Sequence, residues 1–581
     1  MAQFSKLSFL AFSTLTLAVT SCYGAVTVPG SAPGKHGMID VEVTFENNKI
    51  RQIDIVNEKE NELLAKMVYE EIVPAIVKHN SVEIDAISGA TVTSNAVKAA
   101  VKAAADKAGI KLAGAPAGVE RAARVPENLK YDVVVIGGGG AGFSAAITAH
   151  DAGAKVVLLE KMPQVGGNTL ISGAELAVSG NWVQKKLGIK DSVEQHVKDT
   201  LKGGDYKGDE AMVRNMCENA LPAAEWLRDT VHVAFEDRIL QFGGHSVKRT
   251  LIPKGSAGGE LIGKFLAAAE SRNIPIFTDT KATELIKDEA GRVIGVKATL
   301  DGVSYDFVGK NGVVLATGGF AANALMCKTA NPFYDERFKT TNTPAAQGDG
   351  IVMAQAVGGA TRNMQYIQTY PMCDPVTGAI ELIDKARFEG AVLINKEGKR
   401  FVEELDRRDV ISKGILDQPG QYCYSVYTDA TEARAHGMYY HPDEVATFTA
   451  NGTFKKFDTL EDLSRGLGIP LDNLKATMAQ VSEAAKTGKD ELFNYRGRFE
   501  DMSHGPYYTY KGVPSRHHTM GGLNVDIDAH VLDDQNRVIP GLYAAGEITG
   551  LTHGTNRLGS NAVLDIVVYG RIAGENAAAG K

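Results

Sequence analysis

Cysteine is scarce in this chain: five residues in 581, at positions 22, 217, 327, 373 and 423, with no two in a C-x-x-C spacing. That scarcity excludes a structural zinc knuckle and a C-x-x-C-H haem attachment, so any electron carrier must be another group. Thiols so dispersed read as isolated core residues. Basic residues (62) are fewer than acidic ones (70) and form no long run, which argues against tracking a nucleic-acid backbone. No apolar stretch reaches the ~18 residues that a membrane-spanning helix needs. Aromatics make up only 7%, whereas glycine supplies 62 residues, an excess that points to tight turns where backbone approaches a ligand. With 44% hydrophobic residues and a formal charge of -8, the chain is an acidic globular protein long enough for several domains.

Residues 1–24 have the layout of a secretory signal peptide: Lys6, an uncharged run from Leu7 to Val19, then small and polar residues. Val19-Thr20-Ser21-Cys22 also resembles a lipobox, in which Cys22 would be lipidated. The expectation is a periplasmic protein, soluble or tethered through Cys22. A small unit follows at 35–112. Met38 to Val56 alternates as two strands about Glu46-Asn47-Asn48, and Asn61–His79 and Ser94–Ala108 read as helices, the first kinked or broken at Pro74. Between the helices lies Asp85-Ala86-Ile87-Ser88-Gly89-Ala90-Thr91, and an Ala/Gly/Pro-rich linker occupies 113–126.

The second unit opens on a buried strand, Tyr131–Ile136, then Gly137-Gly138-Gly139-Gly140-Ala141-Gly142, a helix from Phe143, and a strand that Glu160 closes. Gly137 permits the tight turn, Gly139 lets backbone N–H groups meet a pyrophosphate, and Gly142 lets helix and strand pack closely. The helix N-terminus adds positive potential, and Glu160 would accept the ribose hydroxyls. FAD rather than NAD is indicated by Gly166-Gly167-Asn168-Thr169, by Ala316-Thr317-Gly318-Gly319 after a later strand, and by Ala544-Ala545-Gly546-Glu547 after the last one. These segments would converge at one sheet edge.

Together with Asn395-Lys396-Glu397-Gly398-Lys399-Arg400-Phe401, Arg408-Asp409, His517-His518-Thr519-Met520-Gly521-Gly522 and the segment His553–Asn561, residues 127–581 resemble the fumarate reductase/succinate dehydrogenase flavoproteins, in particular the soluble flavocytochrome fumarate reductases. The resemblance implies an α/β architecture: a Rossmann-like FAD-binding domain (127–364 and 519–581) with an inserted, mobile α+β capping domain (365–518). It implies non-covalent FAD, with Gly173, Ala174, Asp349, Glu547, Ala562 and Val563 among its contacts beside Ala141, Asn168 and Thr169. The first unit resembles the FMN-binding domains of sodium-pumping quinone reductases, which implies FMN joined to Thr91 through a phosphoester. FMN would take the place of the haems that soluble fumarate reductases carry at that end. A quinol-linked cytochrome of the cytoplasmic membrane is the expected electron donor.

The implied chemistry is reduction of a carbon–carbon double bond conjugated to a carboxylate, with hydride passing from FAD N5 to the β carbon and a proton delivered to the α carbon. Arg557 and His518 would hold the carboxylate, His517 being structural. Arg408 would be the proton donor, with Asp384 and Arg387 as its relay. The chain departs from the fumarate reductases where a second carboxylate should bind: Tyr370 replaces a histidine, Ile383-Asp384 a Thr-Glu pair, and Glu175 an apolar residue. Glu175, Tyr370 and Asp384 present oxygen acceptors, suited to a group bearing N–H bonds. The expected substrate is therefore the imidazole acrylate urocanate, with fumarate, cinnamate or methacrylate as alternatives. Two competing expectations are an electron carrier whose FAD domain is only a scaffold, and a ketosteroid-type dehydrogenase. Retained Arg408, His518 and Arg557 oppose the first, and Arg557 has no place in the second.

Overall fold

A computed structural model describes residues 25–34, 38–58, 60, 62–84, 91–114, 126–254 and 258–581. The chain divides into two compact units, Met1–Arg121 and Ala122–Lys581. Residues 1–24, with Cys22, lie outside the described residues, as do 85–90 and the side chain of Thr91. No described helix is long and apolar enough to cross a membrane.

In the first unit β1 (Val26–Pro33), β2 (Met38–Glu46) and β3 (Lys49–Asn57) form an antiparallel sheet in that order. Alternation along β2 buries Ile39, Val41, Val43 and Phe45, and Asn47 and Asn48 turn the hairpin at φ 52° and 61°. The edge strand β1 escapes sequence reading because Pro29, Gly30 and Pro33 resemble a loop; at an edge the donors that the two prolines lack cost no ladder bond. Helices α1 (Glu62–His79) and α2 (Thr91–Ala108) cover the sheet. Of the kink or break expected at Pro74, the break does not occur, since α1 runs through it. Val68, Ile72, Ala75 and Ile76 are buried on either side of it, and that packing carries α1 through the lost hydrogen bond. Helix α2 begins at Thr91, three residues ahead of Ser94.

The second unit is built on a sheet in which Thr280–Lys287, Val293–Leu300, Val303–Leu315, β4 (Lys130–Ile136), β5 (Val156–Leu159) and Ile276–Phe277 lie side by side. Strands β4 and β5 are parallel, and Val303–Leu315 pairs in parallel with both β4 and Val538–Ala544. Leu315 is registered with Ile136 on one side and Ala544 on the other, so the three small-residue turns leave the sheet at one edge. Helix α3 (Gly140–Asp151) packs against the last helix, Asn561–Ala579. Their approach is so close that a Cβ on Gly574 would stand 2.3 Å from the Ala145 carbonyl oxygen.

A separate antiparallel sheet arises from residues 367–519. Ile367–Cys373, Tyr507–Thr519, Cys423–Thr428 and Val392–Ile394 follow one another, and Phe454–Phe457 joins Tyr507–Thr519. Its two faces bury separate cores, one around Met372, Leu393 and Tyr510, the other around Val426, Leu474 and Tyr507. Cys217, Cys327, Cys373 and Cys423 are all free and buried.

Candidate active site

Where β4 meets α3, Gly137 takes φ +108° and a Cβ there would lie 2.3 Å from the Ala316 carbonyl oxygen; Gly142 would strike the Gly137 carbonyl oxygen at 1.8 Å. The tight turn and the helix–strand packing read from the motif are thus both present. A cavity opens at this edge, walled by Gly137, Gly139, Ala141, Glu160, Asn168, Thr169, Asp349 and Glu547. Gly142, Gly173, Ala174, Ala562 and Val563 do not line it. Gly142 acts by packing, Gly173 lies against the Glu175 carboxylate, Ala174 takes φ +59°, and Ala562 and Val563 sit in the first turn of the last helix.

The cavity fits a dinucleotide. Glu160 accepts hydrogen bonds from Gly138 N (2.7 Å) and Met162 N (2.8 Å), leaving lone pairs for hydroxyls, and burial pushes its carboxyl up. Thr317 lines the wall with a buried hydroxyl that has no partner among the described residues. Apart from its chain neighbours, no described residue comes within 4 Å of a Cβ on Gly318. Lys161, which sequence reading missed, also lines the wall and pairs with Asp349 at 2.6 Å.

Beyond the cavity two guanidiniums converge on one imidazole. His517 Nε2 accepts from Arg408 Nη1 at 3.2 Å and from Arg557 Nη2 at 3.0 Å, while Nδ1 lies 2.8 Å from Thr341 Oγ1. Burial and the two arginines hold His517 well below the ordinary histidine range, so the neutral ring donates from Nδ1. His517, not His518, therefore meets the arginines, which corrects the sequence expectation. The cause is local: Gln368 pairs with His518 but Thr369 with Arg516, so His517 is the extra residue of a β-bulge, which re-aims its side chain. His518 instead faces Glu547, with Nδ1 3.7 Å from Oε2.

Arg408 opens the helix Arg408–Leu416 and lies 4.9 Å over the Tyr370 ring, which itself meets His517 edge-on at 5.2 Å. No described carboxylate pairs with Arg408; burial lowers its pKa, with Arg387 adding repulsion. Burial and Arg408 lower Arg557 further. Arg387 is the opposite case: burial alone would lower it, but Asp384 raises it. Burial pushes Tyr370 up to about 12, so its hydroxyl keeps its proton.

Asp384 and Arg387 share the short 3-10 helix Leu382–Glu389. Asp384 accepts from Arg387 Nε (2.9 Å to Oδ2, 3.1 Å to Oδ1), from Arg387 Nη2 (2.7 Å) and from the Tyr510 hydroxyl (2.7 Å). Three donors thus occupy most of the acceptor sites of Asp384 and tie it to Arg387, as its relay position requires. Tyr510 was missed because nothing in sequence joins it to residue 384. The motif around Arg400 serves the same assembly: Arg400 pairs with Glu404 and Asp490, and Arg387 Nη1 donates to the Glu404 carbonyl at 2.6 Å. Burial raises the Glu175 carboxyl, while Lys385, Arg408 and Arg238 oppose that rise.

The segment bearing Arg557 is held from two sides. Gln368 Nε2 donates to the Arg557 carbonyl at 2.7 Å, and His245 Nε2 to the Gly559 carbonyl at 2.9 Å. Fully buried Arg249 bonds His245 Nδ1 at 3.1 Å and pairs with Asp191 and Asp199.

Residues 132–563 match the FAD binding domain family and residues 34–106 the FMN-binding domain family. The chain is 42% identical to a urocanate reductase of Eggerthella lenta, over 98% of this chain and 94% of the relative. It is 38% identical to a fumarate reductase (cytochrome) of Shewanella frigidimarina, over 77% of each. Among solved structures, the open conformation of a flavocytochrome c3 fumarate reductase superposes with a TM-score of 0.66 at 34% identity, covering 78% of both chains. A 3-ketosteroid Δ1-dehydrogenase from Sterolibacterium denitrificans shares the fold, with a TM-score of 0.66 at 21% identity over 78% of this chain and all of that one. The chain thus belongs to the FAD-binding flavoprotein oxidoreductases that include the flavocytochrome fumarate reductases, and it joins an FMN-binding domain to that fold.

Proposed function

We propose that the protein is an exported 2-enoate reductase that converts urocanate to imidazole propionate, with electrons entering through FMN attached covalently at Thr91. The observation that carries this reading is the convergence of Arg408 and Arg557 on one acceptor, His517 Nε2, with the Glu175 carboxyl among Lys385, Arg408 and Arg238. The guanidiniums are placed to take a carboxylate oxygen. Glu175 and the Tyr370 hydroxyl are acceptors for a ring N–H. The likeness to a urocanate reductase along nearly the whole chain supports the same substrate.

When bound, FAD supplies the hydride. Arg557, ordered by His517 Nε2, holds the carboxylate and stabilises the charge that develops on it as the β carbon is reduced. Arg408 gives the α carbon its proton. A guanidinium normally keeps its protons, but this one is half-buried, has no carboxylate partner among the described residues and stands beside a second guanidinium. The Asp384–Arg387 pair, with Tyr510 on Asp384, restores that proton. Closure of the 365–518 region would exclude water from the hydride step. Export is supported by residues 1–24, and a quinol-linked cytochrome of the cytoplasmic membrane is the proposed donor.

Steady-state assays test the substrate. kcat/KM for urocanate should exceed that for fumarate at least about tenfold, ~1.4 kcal/mol of transition-state stabilisation, and Glu175→Ala should narrow the gap. Equal or better activity on fumarate in the unmodified enzyme overturns the assignment.

A further inference from the structure

The mechanism above leaves four neighbouring ionisable groups unused, three of them buried. Glu547 is at the cavity wall. Its Oε2 stands 3.7 Å from His518 Nδ1; the His518 ring meets the His553 ring edge-on at 5.6 Å; and His553 Nε2 is 3.9 Å from Asp565 Oδ1. His518, His553 and Asp565 are 6%, 7% and 3% exposed. His518 Nε2, both ring nitrogens of His553 and Asp565 Oδ1 are buried without a hydrogen-bond partner among the described residues. Orphaned polar atoms in a core are costly. Four of them along one path, which starts at the cofactor cavity and ends on the last helix, leave donor and acceptor positions open to proton transfer.

We propose that Glu547, His518, His553 and Asp565 form a proton-storing chain that takes up one proton from solvent when the FAD is reduced and returns it when the FAD is reoxidised. The proposal rests on FAD occupying the cavity. Two electrons and one proton loaded onto the ring leave it with one added negative charge, and the stored proton offsets that charge from the protein side. It forms an O–H bond at Asp565 Oδ1 or Glu547 Oε2, passing between them by imidazole N–H transfer. The chain is neither oxidised nor reduced: both electrons come from the enzyme's donor and leave with the hydride, and the stored proton goes back to water. It is separate from the proton that Arg408 gives the substrate.

The charges around the chain are consistent with storage. Arg557 faces Glu547 and both histidines, with Arg408 and His517 also acting on His518. Thr519 and Asn168 meet Glu547, and Thr552 and Tyr569 flank Asp565. Burial first, then Arg557, brings His553 down to about 3, so it conducts as a neutral ring. Burial brings Asp565 up to about 7, where a carboxyl can both gain and lose a proton.

Infrared difference spectra of the holoenzyme, reduced minus oxidised, test the proposal. A protonated-carboxyl C=O band should appear as FAD is reduced and should shift in D2O. In Asp565→Asn or Glu547→Gln the band should fall, and the protons taken up per FAD, read from the pH dependence of its midpoint potential, should drop from two to one. His553→Gln should slow the uptake. If Asp565→Asn does not fold, Asp565→Glu should move the band. A wild-type spectrum without the band overturns the proposal, as does a band and a proton count unchanged in the variants. Purified protein that binds no FAD would instead remove the cofactor reading beneath it.

Discussion

At the residue scale, Arg387 and Arg408 show how one kind of contact decides two roles. Arg387 has a carboxylate and is held in its charged form, whereas Arg408 has an imidazole, an aromatic face and a repelling neighbour. Arg408→Ala should leave FAD bound and reducible while turnover falls roughly 10²-fold or more, the scale of losing a positioned acid. Stopped-flow reduction of FAD beside steady-state assays checks this, and near-normal turnover would move the role to Asp384. The two histidines should separate as clearly. His517→Gln should raise KM for the enoate, because it removes the acceptor on which both arginines are ordered, whereas His518→Gln should leave KM within about threefold and alter the flavin potential. The arginines, Asp384 and Glu175 were legible in the sequence because charge is written there, and Tyr370 because it stands where the resembled family has a histidine. Which of two adjacent histidines faces them was not, because a single inserted residue in a strand reverses the side-chain alternation.

At the element scale, glycine-bearing turns and alternating strands were read nearly to their ends, since φ > 0 and period-2 burial each leave a mark in the sequence. The 3-10 helix Leu382–Glu389 left none: it is held by contacts from Glu404, Tyr495 and Tyr510, far along the chain. The last helix carries its own pH signature. Asp565 titrates near 3.8 when unfolded, and burial raises it to about 7 when folded. Between those values the folded chain binds more protons, so this contribution to stability is fully present below ~4 and is lost as pH rises through about 7. Asp565→Asn should remove that slope. Its apparent Tm, relative to the unmodified protein, should improve by several degrees between about pH 5 and about pH 8. A constant difference across that range would show that Asp565 is not buried as an acid.

At the scale of the whole molecule, two units of separate family carry two flavins, and only the larger contains the paired arginines and the relay. If FMN at Thr91 is the entry for electrons, the two activities separate by donor. A small reduced dye that reaches FAD directly bypasses the first unit; a membrane quinol system does not. Thr91→Ala should therefore keep dye-linked urocanate reduction within about twofold while quinol-linked reduction falls to background. The same substitution tests the linkage, because a phosphoester survives acid precipitation whereas FAD, held only by contacts, does not. Precipitated wild-type protein should retain about one flavin and Thr91→Ala none. Helix α2 starts at Thr91, so backbone N–H groups of its first turn have no partner within the helix and favour a phosphate at that position. If Thr91→Ala retains as much flavin as wild type after precipitation, the attachment lies elsewhere. If it loses flavin yet keeps full quinol-linked turnover, electrons reach FAD without the first unit.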